Sequence, residues 1–239
     1  MRKLIFITLL LLYSSGHSAW YNNSGAGEDG FVKTSGLTTW YKTGKSAFTV
    51  MGWVYLDDTT DDCFILPYDY SWAEWVFRLS KTTSKRISTH LAGTNPGGWV
   101  EGTAELENDT WYHLAYTYDG SHRRTYINGV MDINQAETGT TTGNAGITLG
   151  VLLGSYAKGS NFSVWNYAKS AAEIEEAMMQ RLISDERCMG LWYCDEKVIN
   201  GAPGGVIMRD TSGNGIHLDE RNAGSITNDN YRDGPPIQW

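Results

Sequence analysis

Flat aromatic rings offer apolar faces on which a ligand can stack, and neighbouring amides and carboxylates can hydrogen-bond its polar groups. Two stretches of this 239-residue chain concentrate such groups. Tyr68, Tyr70, Trp72 and Trp75 crowd one segment, and Trp99 follows the loop Thr94-Asn95-Pro96-Gly97-Gly98. Large rings also fill β-sandwich interiors, but loops carry function more often than the scaffold does. Tyr68, Tyr70, Trp72, Trp99 and Asn95 are therefore the candidate ligand contacts. Trp53, Trp111 and Trp192 fall inside predicted strands and are expected in the core.

Oxygen-rich turns suggest Ca2+, which takes about six to eight oxygen ligands. Two alternative loops, not one site, qualify. One is the run holding Asp57, Asp58, Asp61 and Asp62; the other holds Asp210 and Asn214. Neither matches an EF-hand loop, and the first serves equally as a solvated hairpin tip. No C-x-x-C or Cys/His spacing points to zinc. No catalytic residue is assigned. Glycoside hydrolysis needs two facing carboxylates, about 5–5.5 Å apart for retention. Glu101 and Glu105, near a predicted strand, are the least poor pair; Glu173, Glu175 and Glu176 lie on a predicted helix. Nucleophile-elbow, H-E-x-x-H and phosphate-loop motifs are missing from the sequence.

The elements that must position these groups are mostly strands. Trp111 to Tyr118 is aromatic and β-branched, Asp119-Gly120 turns, and Arg123 to Ile127 is extended again. Asn128-Gly129 is then a two-residue hairpin signal, because both central residues must take positive φ. The segment predicts three consecutive antiparallel strands. Further strands are predicted at 48–56, 63–66, 75–80, 86–91, 99–104, 124–127, 147–151, 161–166 and 189–193. Phe48, Val50, Gly52, Val54 and Leu56 would share one face. One helix interrupts them: Ser170 to Glu173 reads as a capping box, and Ile174, Ala177, Met178 and Leu182 recur at helical spacing.

Whole-chain properties narrow the class. Arg2 and Lys3, the apolar run 4–13 and the small residues 14–19 read as a signal peptide, 1–19, cut near Ala19. The run is about half of the roughly 20 residues a membrane span needs. The remaining 20–239 are expected to form a single domain, secreted to the extracellular space or the periplasm. The net charge of −8 disfavours a nucleic-acid partner. Three cysteines leave an odd thiol. Cys188 and Cys194 flank a predicted strand and sit too far apart to bridge. A bond from Cys63 to one of them and three free thiols both remain open. Asn22, Asn108 and Asn161 begin N-x-S/T sequons.

Five motifs carry a resemblance. Trp111-Tyr112-His113-Leu114-Ala115 through Asp119-Gly120 is followed by Tyr126-Ile127-Asn128-Gly129. The others are Ser46 to Val54, Val164 to Ile174, Gly190 to Glu196, and Asp210 to Gly215. Together they resemble laminin-G-like jelly rolls of the concanavalin A-like lectin/glucanase superfamily. The resemblance implies an all-β antiparallel jelly-roll sandwich with one short helix, a structural His113, and glycan binding without catalysis. Family enzymes usually carry their acids as E-x-D-x-x-E on one strand, which this chain lacks. Lys169 departs from the family's usual Leu, and Asn161 stands near a common acidic position. The expected partner is a glycan or polysaccharide, or a surface protein. An adhesion or virion-type interaction domain and a diverged glycoside hydrolase or lyase are the alternatives.

Overall fold

The computed structural model describes residues 19–22, 29–33, 37–56, 63–64, 75–79, 85–144, 149–153, 158–193, 207–220, 226–229 and 235. In chain order the elements begin with β1 (Ala19–Asn22), β2 (Asp29–Lys33), α1 (Thr39–Lys42), β3 (Phe48–Leu56) and β4 (Cys63–Phe64). Next come β5 (Trp75–Leu79), β6 (Ile87–Leu91), β7 (Thr94–Asn95), β8 (Gly98–Glu101), β9 (Thr110–Tyr118) and β10 (His122–Ile127). Then follow β11 (Val130–Ala136), β12 (Thr138–Gly139), β13 (Leu149–Leu153), β14 (Lys158–Trp165) and α2 (Ala171–Met179). The last are β15 (Cys188–Trp192), β16 (Ile207–Met208), β17 (Leu218–Glu220) and β18 (Ile226–Asp229).

The three-strand expectation for 109–132 holds as β9, β10 and β11, the last running on to Ala136, and two turns set its register. At the first, the Asp119 carboxylate accepts from the backbone N–H groups of Ser121 and His122 at 2.8 and 2.7 Å. At the second, Asn128 and Gly129 take φ of 49° and 79°, as a type I′ turn demands. Asn128 also locks the hairpin sideways. Its Oδ1 accepts from the His113 N–H, and its own N–H donates to the His113 carbonyl, both at 2.8 Å. The meander extends into a sheet ordered β11-β10-β9-β3-β14-β1-β18, with β15 also on β14. Two four-stranded sheets, β4-β5-β6-β8 and β13-β2-β17-β16, make the opposing layer, and every described pairing is antiparallel. The fold is an antiparallel jelly-roll β-sandwich.

The core lies between these layers. Phe48, Val50, Val54 and Leu56 meet Tyr112, Leu114, Tyr116 and Tyr118 on the large sheet, against Trp75, Phe77, Ile87 and Leu91. Gly52 completes the alternation because the Phe162 ring occupies the space a side chain would need: a Cβ there would sit 2.3 Å from Cδ1. Gly52→Ala should therefore cost about 1–3 kcal/mol by overpacking. An unchanged urea midpoint would show that Phe162 can step aside.

The large sheet is buried on its other face too. There α2 lays Ile174 and Ala177 over Met51, Ala115, Tyr126 and Trp165. The capping box is present: Ser170 Oγ accepts from Glu173 N–H, and Glu173 reaches back to Ser170 N–H at 2.7 Å. Leu182 packs on this layer from beyond the helix end. Trp53 and Trp192 are core residues, whereas Trp111 is only half-buried, beside Tyr55. Sequence periodicity missed α1, whose Tyr41 is fully buried, and the strands β1, β2, β7, β12, β16, β17 and β18.

Cys188 is a free, buried thiol, and burial pushes it up to about 12. The Cys63 side chain, Cys194, residues 1–18, the acidic run 57–62 and the aromatic cluster 68–72 lie outside the description. Ala19, at the expected cut, is the buried first residue of β1 and pairs with Asp229.

Candidate functional site

Strand register places Arg78, His90, Trp99 and Glu101 on the face of β5, β6 and β8 turned from the core, with Val76 and Ser88 buried among them. With Trp75, Phe77, Ile87 and Leu91 turned to the core, the intervening residues face away. Val76, His90 and Trp99 stand opposite one another across the three strands, as do Arg78, Ser88 and Glu101. Trp99 is 42% exposed, a large ring where most others are buried. The Arg78 guanidinium stacks over it at 4.1 Å from the ring centre, and the His90 ring lies at 5.0 Å.

These contacts give the surface defined chemistry. His90 is half-buried and its pKa is lowered, first by loss of solvent and then by the Arg123 charge. It is thus the neutral ring at pH 7, with one donor and one acceptor nitrogen. Its Nδ1 has no hydrogen-bond partner among the described residues. Stacked Arg, neutral His, exposed indole and the Glu101 carboxylate together offer donors, acceptors and an apolar face.

A buried ion pair holds the loop that presents Trp99. Arg123, on β10, reaches through the interior from the large sheet to the small one. Its Nη1 donates to the carbonyls of Thr89 at 3.3 Å and Gly98 at 2.8 Å. Its Nε donates to Glu137 Oε2, and neither side chain has exposed surface. Glu137 Oε1 accepts from Thr94 Oγ and from Gly97 N–H, the latter at 2.8 Å. Asn95, exposed on β7 beside β12, belongs to this same pinned loop. The loop thus joins two of the expected contacts, Asn95 and Trp99. Tyr68, Tyr70 and Trp72 lie outside the described residues.

Sequence reasoning missed Arg78, His90, Arg123 and Glu137. The first two were findable, since W-V-F-R-L and I-S-T-H-L each put a polar residue at an outward position. Nothing local marks Arg123, which sits inward next to the outward Arg124.

The Asp210 turn does different work from that expected of it. Its Oδ1 accepts from Leu191 N–H at 3.1 Å and Ser212 N–H at 2.8 Å, and Oδ2 accepts from Ile216 N–H at 2.9 Å. Three donors already surround the carboxylate, so a cation there would face their positive ends. Asn214 likewise turns its amide nitrogen to the carbonyls of Cys188 and Met189. These contacts fasten the turn to β15. No group of three or more His, Cys, Asp or Glu side chains converges among the described residues. Asp57, Asp58, Asp61 and Asp62 fall outside them. Of the least poor acid pair, Glu101 stays on the outward face while Glu105 pairs with Arg86 at 2.9 Å.

Residues 26–175 match a laminin-G-type family model described as the concanavalin A-like lectin/glucanases superfamily. The chain belongs to that superfamily. Among solved structures, this superfamily member is similar to a protein of Bacteroides ovatus thought to bind carbohydrate. The TM-score is 0.67 at 18% identity, covering 91% of this chain and 60% of the other. The chain thus spans only 60% of that protein's length. It is also similar to a heptameric SAP-like pentraxin of Limulus polyphemus, with TM-score 0.53, 10% identity, and 91% and 97% of the two chains covered. At such identities the likeness speaks for the fold alone. No curated protein matches the sequence.

Proposed function

We propose that this superfamily member is a non-catalytic carbohydrate-recognition module, exported and acting at a cell surface or matrix. The observation that carries the reading is Trp99, an exposed indole on a pinned loop with Arg78 and His90 packed on it. Solved neighbours lend support: the Bacteroides ovatus protein is thought to bind carbohydrate. Fold likeness does not fix function, so the weight rests on the surface itself. Tyr68, Tyr70 and Trp72 are further aromatics to test as contacts, and Asn95 would supply an amide. Among the outward register positions Glu101 is the one described carboxylate, whereas glycosidic hydrolysis takes two. Asp57, Asp58, Asp61 and Asp62 are the residues to test for Ca2+. A cut after Ser18 rather than Ala19 would leave β1 whole. No described helix is long and apolar enough to cross a membrane.

The test is a glycan and polysaccharide panel, run with calcium and with chelator. We expect a saccharide-specific signal that Trp99→Ala weakens at least tenfold, equivalent to about 1.4 kcal/mol, without loss of fold. Undiminished affinity in the variant would refute the site. Silence across the panel would refute the carbohydrate reading and favour a protein partner.

A further inference from the structure

On the opposite side of the sandwich, where α2 covers the large sheet, a pocket of about 290 Å³ opens between the helix end and residues 180–187. This is near the lower limit for small-molecule sites, room for about one ring. Its floor is Trp165, itself buried, with Tyr167 beside it. Lys169 lies half-buried across both, its Nζ 3.7 Å from the Trp165 ring centre and 4.8 Å from that of Tyr167.

The charges around this ammonium are unevenly matched. Arg187 stacks on Tyr167 at 4.0 Å and pairs with Asp185 at 2.8 Å. Glu173 accepts from Ser170 N–H and from the Tyr167 hydroxyl at 2.9 Å. Lys169 has one acceptor among the described residues, that same Tyr167 hydroxyl at 2.7 Å, and no carboxylate partner there. An ammonium carries three donors; with one on the Tyr167 hydroxyl and the Trp165 ring face beside it, Nζ can still donate toward the pocket. Glu176 is exposed on the wall and bonds only to Gln180 among the described residues, where water screens its charge. A half-buried cation gains far more from an added anion than an exposed one does.

We propose that this pocket binds a small carboxylate, with Lys169 as the anchoring cation. The lining carries three acids, Glu173, Glu176 and Asp185, against three cations, Lys169, Arg181 and Arg187, so the pocket is near neutral overall and a monoanion fits better than a phosphate. The carboxylate could be borne by a sugar ring, as in a uronic acid, or by a free organic acid; the chemistry at Lys169 is the same. The site is separate from the Trp99 surface and does not depend on it.

Isothermal titration of the protein with its carbohydrate surface disabled by Trp99→Ala, using methyl glucuronide, lactate and neutral methyl glucoside at low ionic strength, tests the assignment. We expect saturable binding of a carboxylate, none of the glucoside, and at least tenfold weaker binding in Lys169→Leu. Leu is the family's usual residue at this position; should circular dichroism show that variant unfolded, Lys169→Met replaces it. With Trp99 already replaced, failure of this binding is separate from failure of the carbohydrate surface. Methyl glucuronide alone would identify an acidic sugar as the source; lactate binding as well would identify free acids. Absence of binding by either carboxylate, equal binding of the glucoside, or undiminished affinity in Lys169→Leu would overturn the proposal.

Discussion

Changing Glu137 to Ala is expected to destabilise the fold by about 3–5 kcal/mol, because it strands a buried guanidinium. Arg123 and Glu137 are both sealed from solvent, so the guanidinium has no bulk water at hand when the carboxylate is lost. Thr94 Oγ and Gly97 N–H lose their acceptor in the same step, and each unsatisfied donor adds to the cost. Against a typical total of about 5–15 kcal/mol, such a loss should lower the urea midpoint markedly. The damage should also reach Trp99, since the loop before it would lose its anchor. A double variant, Arg123→Met with Glu137→Leu, should recover much of the stability, because it removes the charges together. A loss below about 1 kcal/mol in Glu137→Ala would show that the pair is not the clamp described above.

Acid should destabilise the protein well before its carboxylates protonate, and His113 is the reason. Burial alone lowers its folded pKa to about 3, against roughly 6.5 in the unfolded chain. Between those values the unfolded state binds a proton that the folded state refuses. Stability is therefore unaffected by this group above about pH 6.5 and falls by about 1.4 kcal/mol per unit as pH drops toward 3. His90, also lowered, acts in the same direction, so the difference between wild type and His113→Gln isolates the term. Asp119 is separable. Burial works against its ionisation, but bonds from Arg124, Ser121 and His122 outweigh that and hold it well below the usual carboxylate range. Its contribution is present above its unfolded value of about 4 and is lost only in stronger acid. Parallel stability curves for wild type and His113→Gln between pH 6 and 4 would sink this account.

Much of the architecture was legible because local chemistry and tertiary packing agree in this chain. Asn128-Gly129, Asp119-Gly120 and the Ser170–Glu173 box each announce a backbone geometry that the residue type itself favours. The nine-residue run Phe48–Leu56 was bounded correctly because its alternation ends where the acidic run starts. Short strands such as β7 and β12 are too brief to show a period; they exist because Glu137 holds the loop between them and the core. The site was half legible for a related reason. Exposed aromatics such as Trp99 stand out by type, whereas Arg123 and Glu137 matter through a contact spanning the sandwich. Lys169 was noticed only as a departure from the family pattern, and its aromatic surroundings come from residues that read as strand and cap.

The pairing of β1 with β18 sets how the chain must come together. Ala19 lies beside Asp229, so that contact closes a loop running almost the length of the described chain. The meander of β9, β10 and β11 closes only tight turns. Loop-closure entropy favours short-range contacts first, so the meander can form as a local nucleus onto which β3 and then β14 dock. The β1–β18 seam is then expected to zip last and, by the same reasoning, to be the first to breathe, which amide exchange at residues 19–22 and 226–229 would show.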